Sequence, residues 1–239
     1  MSEQVHPLPK LKSLSRREML RRFAAAVVVA GNCTFSPEAA RHVHEMARES
    51  LSQDGAYAPQ FFKPHEFATL QRLTELIIPA DDRSGSARQA GAPEFIDLLC
   101  SQNDELADIY SGGLLWLEGE ARREHGDAFL ALEEADQASL LELLAAEVRR
   151  LDALEEAERS AVWGENTNFG GFSSYRSVPA GRLGPGARFF AWLRRMTVDA
   201  FYTSQMGIAD LDYQGNTALA EYTVPDEVLE YVRNQGSGK

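Results

Sequence analysis

The stretch ARFFAWLRRMTVDAFYTSQMG, Ala187–Gly207, decides the fold class. Phe189, Trp192, Leu193, Met196 and Ala200 recur at three- and four-residue steps, so one helical face is apolar and turned towards a core. Gly207 follows the last periodic residue, where a helix C-terminus is predicted. Working outward, every other legible element carries the same period. No segment alternates over enough residues to demand a sheet, and no internal repeat is found. The expected architecture is mainly α: a single irregular helical domain with long ordered loops.

Upstream, FFKPHEFATLQRLTELIIPADD predicts a helix that Pro64 starts, lines with Phe67, Leu70, Leu73, Leu76 and Ile77, and Pro79 ends. A loop follows from Asp81-Asp82 to Gly91, and Pro93 opens a helix with Phe95, Ile96, Leu98 and Leu99 inside. Asn103 suits the N-cap of a helix reaching about His125, which Gly126 closes. Gly112, Gly113 and Gly119 lie within it, each weakening a helix by about 1 kcal/mol relative to Ala. Close packing against a neighbouring backbone is the expected compensation. Asp136 is the predicted cap of a longer helix lined by Leu140, Leu144, Val148 and Leu151. RHVHEMARESLSQ and DEVLEYVRN are candidates for short helices. Between Trp163 and Phe190 six glycines, two prolines and several aromatics predict a long ordered loop, with Gly181–Gly186 as a turn.

The chain of 239 residues has 44% hydrophobic and 25% charged residues, the balance of an ordinary globular protein. Its net charge of −12 is uneven: residues 1–30 hold six basic and two acidic side chains, the remainder 18 basic and 34 acidic. A body this acidic is unsuited to gripping phosphate backbones, which excludes nucleic acid as an expected partner.

The basic N-terminus has its own reading. Phe23–Gly31 is too short an apolar run to span a bilayer, which needs roughly 20 residues, and it has no polar face. Basic residues, a short apolar stretch and a small-residue exit together predict a targeting segment over residues 1–31. Within it, Ser15, Arg16, Arg17 and Leu20 stand in the frame of the twin-arginine export signal, S-R-R-x-F-L-K, with Met19 for Phe and Arg21 for Lys. That route carries folded cargo. Residues 32–62 read as a polar linker or extension and 63–239 as the helical domain.

Chemistry is sparse. No dinucleotide or phosphate loop, no nucleophile elbow and no zinc-type spacing occurs. His42 and His44 are two apart, which points them to different helix faces. His65 and His125 fall at helix ends, and Asp81-Asp82 reads as a solvated turn. No catalytic, cofactor-binding or metal-binding residue is assigned. Two readings stay open for Cys33 and Cys100: independent small apolar residues, or one disulfide in an oxidising compartment. Loop aromatics Phe169, Phe172, Tyr175, Tyr202 and Tyr213 are the expected partner contacts, with core burial the competing account.

Two blocks carry a family resemblance. Phe189–Asn216 ends in Thr203-Ser204, Gly207, Leu211, Tyr213, Gly215 and Asn216, a T-S-x-x-G turn followed by L-x-Y-x-G-N. Phe67–Asp97 closes a helix on I-I-P, then acidic residues, an Ala/Gly-rich loop and P-x-F-I-D. Together with the N-terminal arginines they resemble subunit 3, the small or gamma subunit, of gluconate 2-dehydrogenase-type oxidoreductases. The resemblance implies a non-catalytic subunit without a cofactor of its own. Its partners would be a large flavoprotein of the glucose–methanol–choline type holding FAD, a c-type cytochrome holding haem, and the twin-arginine machinery. It further implies a periplasmic location, at the inner membrane through the complex, and a role in bracing the flavoprotein and exporting it folded. Sugar and sugar-acid substrates do not transfer between members. Many relatives carry a cysteine near the C-terminus where this chain has Tyr222-Thr223-Val224-Pro225, although a Cys33–Cys100 pair stays open. The alternatives are a stand-alone periplasmic structural or binding protein, and an independent enzyme using Asp81, Asp82 or His125.

Overall fold

The computed structural model describes residues 37–50, 57–163 and 181–212. Their order is α1 (Pro37–Glu49), α2 (Pro64–Ile77), α3 (Ala92–Cys100), α4 (Asp104–His125), a 3-10 turn at Phe129–Ala131, α5 (Glu134–Trp163), α6 (Gly184–Tyr202) and α7 (Gln205–Asp210). Among the described residues there is no β-strand, and the fold is mainly α.

α6 is the axis of the molecule. Phe189, Trp192, Leu193, Met196 and Ala200 are all buried, as their spacing demands. Phe190, Ala191, Thr197 and Phe201 are buried as well, so α6 is covered on most sides, by α2, α3, α4, α5 and α7. Burying each large apolar side chain is worth about 1.5–3 kcal/mol. α3 is the most enclosed element: Ala92 to Cys100 are buried apart from a half-buried Glu94. On α5, Leu140, Leu144 and Val148 are buried, with Leu151 packed at the edge.

Helix termini follow local chemistry. The Asn103 side chain accepts from Leu106 N–H at 2.9 Å, and Gly126 closes α4 at φ 83° with its N–H on the Arg122 carbonyl. Lys63 N–H meets Glu66 Oε2 at 2.9 Å as α2 begins. At α5 the expectation needs correction: the helix already runs from Glu134, so Asp136 lies in its first turn and caps nothing. Gly184–Gly186, read as a turn, form the first turn of α6 instead. Gly186 is needed there because a Cβ would stand 2.4 Å from the Trp116 ring. The Trp116 indole N–H donates to the Arg182 carbonyl at 3.1 Å and fixes that crossing.

The three α4 glycines separate. A Cβ on Gly113 would fall 2.0 Å from Phe189, so its absence lets α6 approach. Gly112 and Gly119 have no neighbour within 4 Å, and the expected packing against another segment is not found for them. They flank Leu115, which is 76% exposed.

The stretch before α2, read from sequence as a polar extension, contributes Ala40, Val43, Ala47 and Phe62 to the core. The signal residues Ser15, Arg16, Arg17 and Leu20 lie outside the described residues, as do Cys33, Phe169, Phe172, Tyr175 and Tyr213. Among the described residues no helix is long and apolar enough to cross a membrane.

Candidate functional site

The site is built around a buried carboxylate. Asp97 sits mid-way along α3 with no solvent exposure. Its Oδ1 accepts from Phe61 N–H and Phe62 N–H, each at 3.0 Å. Its Oδ2 accepts from Gln60 N–H and the Tyr57 hydroxyl, each at 2.7 Å. Four donors aimed at one carboxylate offset its desolvation. Burial, and then the bond to Asp97, push the Tyr57 phenol far above its usual range, so it stays a donor at any physiological pH. The effect is a clamp that fastens the strand of chain before α2 onto α3.

A second corner lies where α6 turns into α7. Ser204 Oγ donates to the Phe201 carbonyl at 2.6 Å and accepts from Gly207 N–H at 3.0 Å, capping α7. Gly207 is therefore inside α7, not the terminus of α6. A Cβ there would meet the Phe201 carbonyl oxygen at 2.1 Å, so the turn admits only glycine. The loop after α2 locks onto this corner. Arg83 donates to the Asp210 carbonyl at 2.8 Å, and Gly85 leaves room for Met206, which a Cβ would approach to 2.9 Å. Two stretches more than a hundred residues apart thus form one surface.

α1 completes it. Thr203 Oγ1 donates to the Asp199 carbonyl at 2.7 Å, and with that proton committed it accepts from His44 Nε2–H at 3.2 Å. The His44 ring lies 5.0 Å from Phe95. Burial lowers His44 to about 4, against a bond to the Ala200 carbonyl that raises it, and Arg48 lowers it further. It is neutral at pH 7. Arg48 donates to Gln205 Oε1 at 3.1 Å across the same seam. Above the seam runs a groove of about 460 Å³ between α1 and the α6–α7 corner, floored by Tyr202, Ile208 and Leu211 and rimmed by Arg41, Glu45 and Arg48. Its chemistry is that of apolar contact with a basic edge.

The residues weighed for chemistry are spent on structure. Asp81 Oδ1 accepts from Arg83 and Ser84 N–H, each at 2.8 Å, which holds its carboxyl below the usual range. Asp82 is exposed. His42 pairs with Glu45 at 3.2 Å on the outer face of α1, away from buried His44. His65 meets Glu118 at 3.1 Å, and His125 meets Asp136 at 3.5 Å. Among the described residues no three His, Cys, Asp or Glu side chains are grouped to hold a metal ion. Cys100 is buried on α3 with its thiol raised, first by burial and then by Asp97. Its pairing with Cys33 falls outside the described residues. Of the aromatic contacts expected, Tyr202 is described, and it lies part-exposed on the groove floor.

The family model for gluconate 2-dehydrogenase subunit 3 matches residues 64–219. The chain belongs to the gluconate 2-dehydrogenase subunit 3 family. Comparison with curated proteins and with solved structures gives no match. The matched region of this subunit-3 chain opens on the first residue of α2 and extends beyond α7. Asp97 and the α6–α7 corner therefore stand on family positions, while α1 and the four donors to Asp97, from Tyr57 to Phe62, lie outside the match. One wall of the groove lies within the family match and the other lies before it.

Sequence reading missed Asp97, although a signal was present. An aspartate inside PEFIDLLC, on a helix apolar on every side, must find buried donors. His44 gave no comparable signal, because its partner Thr203 is 159 positions away.

Proposed function

We propose that this chain is the small, non-catalytic subunit of a periplasmic, membrane-associated dehydrogenase for a sugar or sugar acid. In this reading it braces a glucose–methanol–choline-type flavoprotein that holds FAD, and it exports that partner folded by the twin-arginine route. A c-type cytochrome with haem completes the complex. Membership of the subunit 3 family is the observation that carries the proposal. The geometry is compatible with it. Within the two family blocks, Asp97, Ser204 and Arg83 are committed to backbone groups that hold the fold. Such residues shape a surface and do not present reactive atoms.

The frame around Arg16 and Arg17 supports the export role, and the acidic body suits a partner other than nucleic acid. The deciding experiment is gentle affinity capture of the full chain from its native cells, followed by an absorption spectrum of the eluate. A flavin spectrum with a large co-eluting chain is expected. A colourless, solitary protein under those conditions would overturn the reading in favour of a stand-alone exported protein.

A further inference from the structure

We infer that two copies of this chain pair through the outer face of α4, with their α4 helices antiparallel about Leu115. α4 turns Leu106, Ile109, Tyr110, Leu114 and Leu117 to the core. On its other side it carries Asp108, Ser111, Gly112, Leu115, Gly119 and Arg122, all exposed. Leu115, at the centre of that face, is 76% exposed, more than any other large hydrophobic among the described residues. Gly112 and Gly119 beside it each cost the helix about 1 kcal/mol relative to Ala, and a Cβ on either would meet nothing within 4 Å.

Small residues alone select no partner; the order of charges along the face does. Asp108 stands seven residues before Leu115 and Arg122 seven after it, two turns and about 10 Å each way on the same side of the helix. Two α4 helices laid antiparallel, Leu115 on Leu115, set Asp108 of each copy against Arg122 of the other, and the two-fold makes the contact twice. A parallel pair would set Asp108 on Asp108 and Arg122 on Arg122, and is repelled at both.

The positions between agree with the antiparallel register. Four residues either side of Leu115, Ser111 falls opposite Gly119, so the backbones can approach closely. Three residues either side, Gly112 falls opposite Glu118, whose carboxylate is already held by His65 at 3.1 Å. Asp108 has no ion pair among the described residues. Arg122 has Glu118 at 3.7 Å, an exposed pair one turn away that contributes little and leaves the guanidinium free to turn outward. A second copy thus supplies the complement at each of these positions. One helix face is a small interface, so the pairing should be reversible and concentration-dependent. It does not depend on the dehydrogenase reading.

The test is sedimentation velocity of the full chain over a range of concentrations, where a monomer–dimer equilibrium is expected. Asp108→Arg alone, or Arg122→Asp alone, sets like charges opposite each other and should raise the dimer dissociation constant at least tenfold. Mixing the two single variants should recover a dimer containing one of each, and both reversals in one chain should restore self-association. The substituted positions are exposed, and unchanged melting curves separate lost pairing from lost fold. A chain that stays monomeric at every concentration would overturn the inference, as would self-association unmoved by either reversal or not recovered in the mixture. So would a co-purifying large chain that the same reversals release, since α4 would then belong to that partner.

Discussion

At the scale of single residues, Asp97 concentrates the largest polar commitment. Replacing it with Asn keeps the shape but sets an NH2 group against donors that need an acceptor. At least two of the four hydrogen bonds are lost and buried N–H groups are left unpaired. Asp97→Asn should cost about 3 kcal/mol or more in stability, read from the urea midpoint at constant slope. The α4 glycines supply an opposite pair of tests. Gly112 faces open space at an ordinary helical φ, so Gly112→Ala should stabilise by about 0.5–1 kcal/mol. Gly113→Ala drives a methyl into Phe189 and should destabilise by roughly 1–3 kcal/mol. Thermal melts of the two variants beside the parent should bracket it.

At the scale of elements, α1 is held by a histidine that must stay neutral, and α6 carries a carboxyl that resists ionising. His44 is lowered from 6.5 to about 4, so the folded state binds fewer protons than the unfolded chain between those values. Its contribution is present above pH 6.5 and is lost as pH falls towards 4, by about 3 kcal/mol at most. Asp199 is raised from 3.8 to about 6 by burial, which Arg195 only partly offsets. Its folded form favours the proton, so its contribution rises as pH falls through the same window. The two slopes oppose one another. Asp199→Asn should therefore sharpen the loss of stability from pH 6.5 to 4, and His44→Gln should reduce it. Melting temperatures at half-unit pH steps would show this, and parallel curves for both variants and the parent would refute it. The same elements show what was legible beforehand. α2, α3 and α4 could be read because their starts are written locally, in Pro64, Pro93 and Asn103, and the body of α6 because its apolar residues, like theirs, keep the helical period. The corner at Ser204 was not, since Gly207 answers to the Phe201 carbonyl and not to a helix end. The first turn of α6 was misread for a similar reason. Gly184 and Gly186 are ordinary turn residues until Trp116 is packed over them.

At the scale of the whole molecule, the two family blocks meet through Arg83 and Asp210 and through Gly85 and Met206, around an α6 that touches most of the other helices. A body joined this way should unfold as one cooperative unit. Arg16 and Arg17 test function separately from fold. Arg16→Lys with Arg17→Lys preserves charge while removing the guanidinium pair that the export reading requires. If Arg16 and Arg17 serve export alone, the double variant should melt within about 0.5 kcal/mol of the parent. In cells, it and its large partner should remain in the cytoplasm together, with dehydrogenase activity lost from the periplasmic fraction and retained inside. Fractionation followed by activity staining measures both at once. Delivery of the partner to the periplasm by the double variant would break the link between this chain and export. Loss of its fold would instead show that the segment belongs to the packed body.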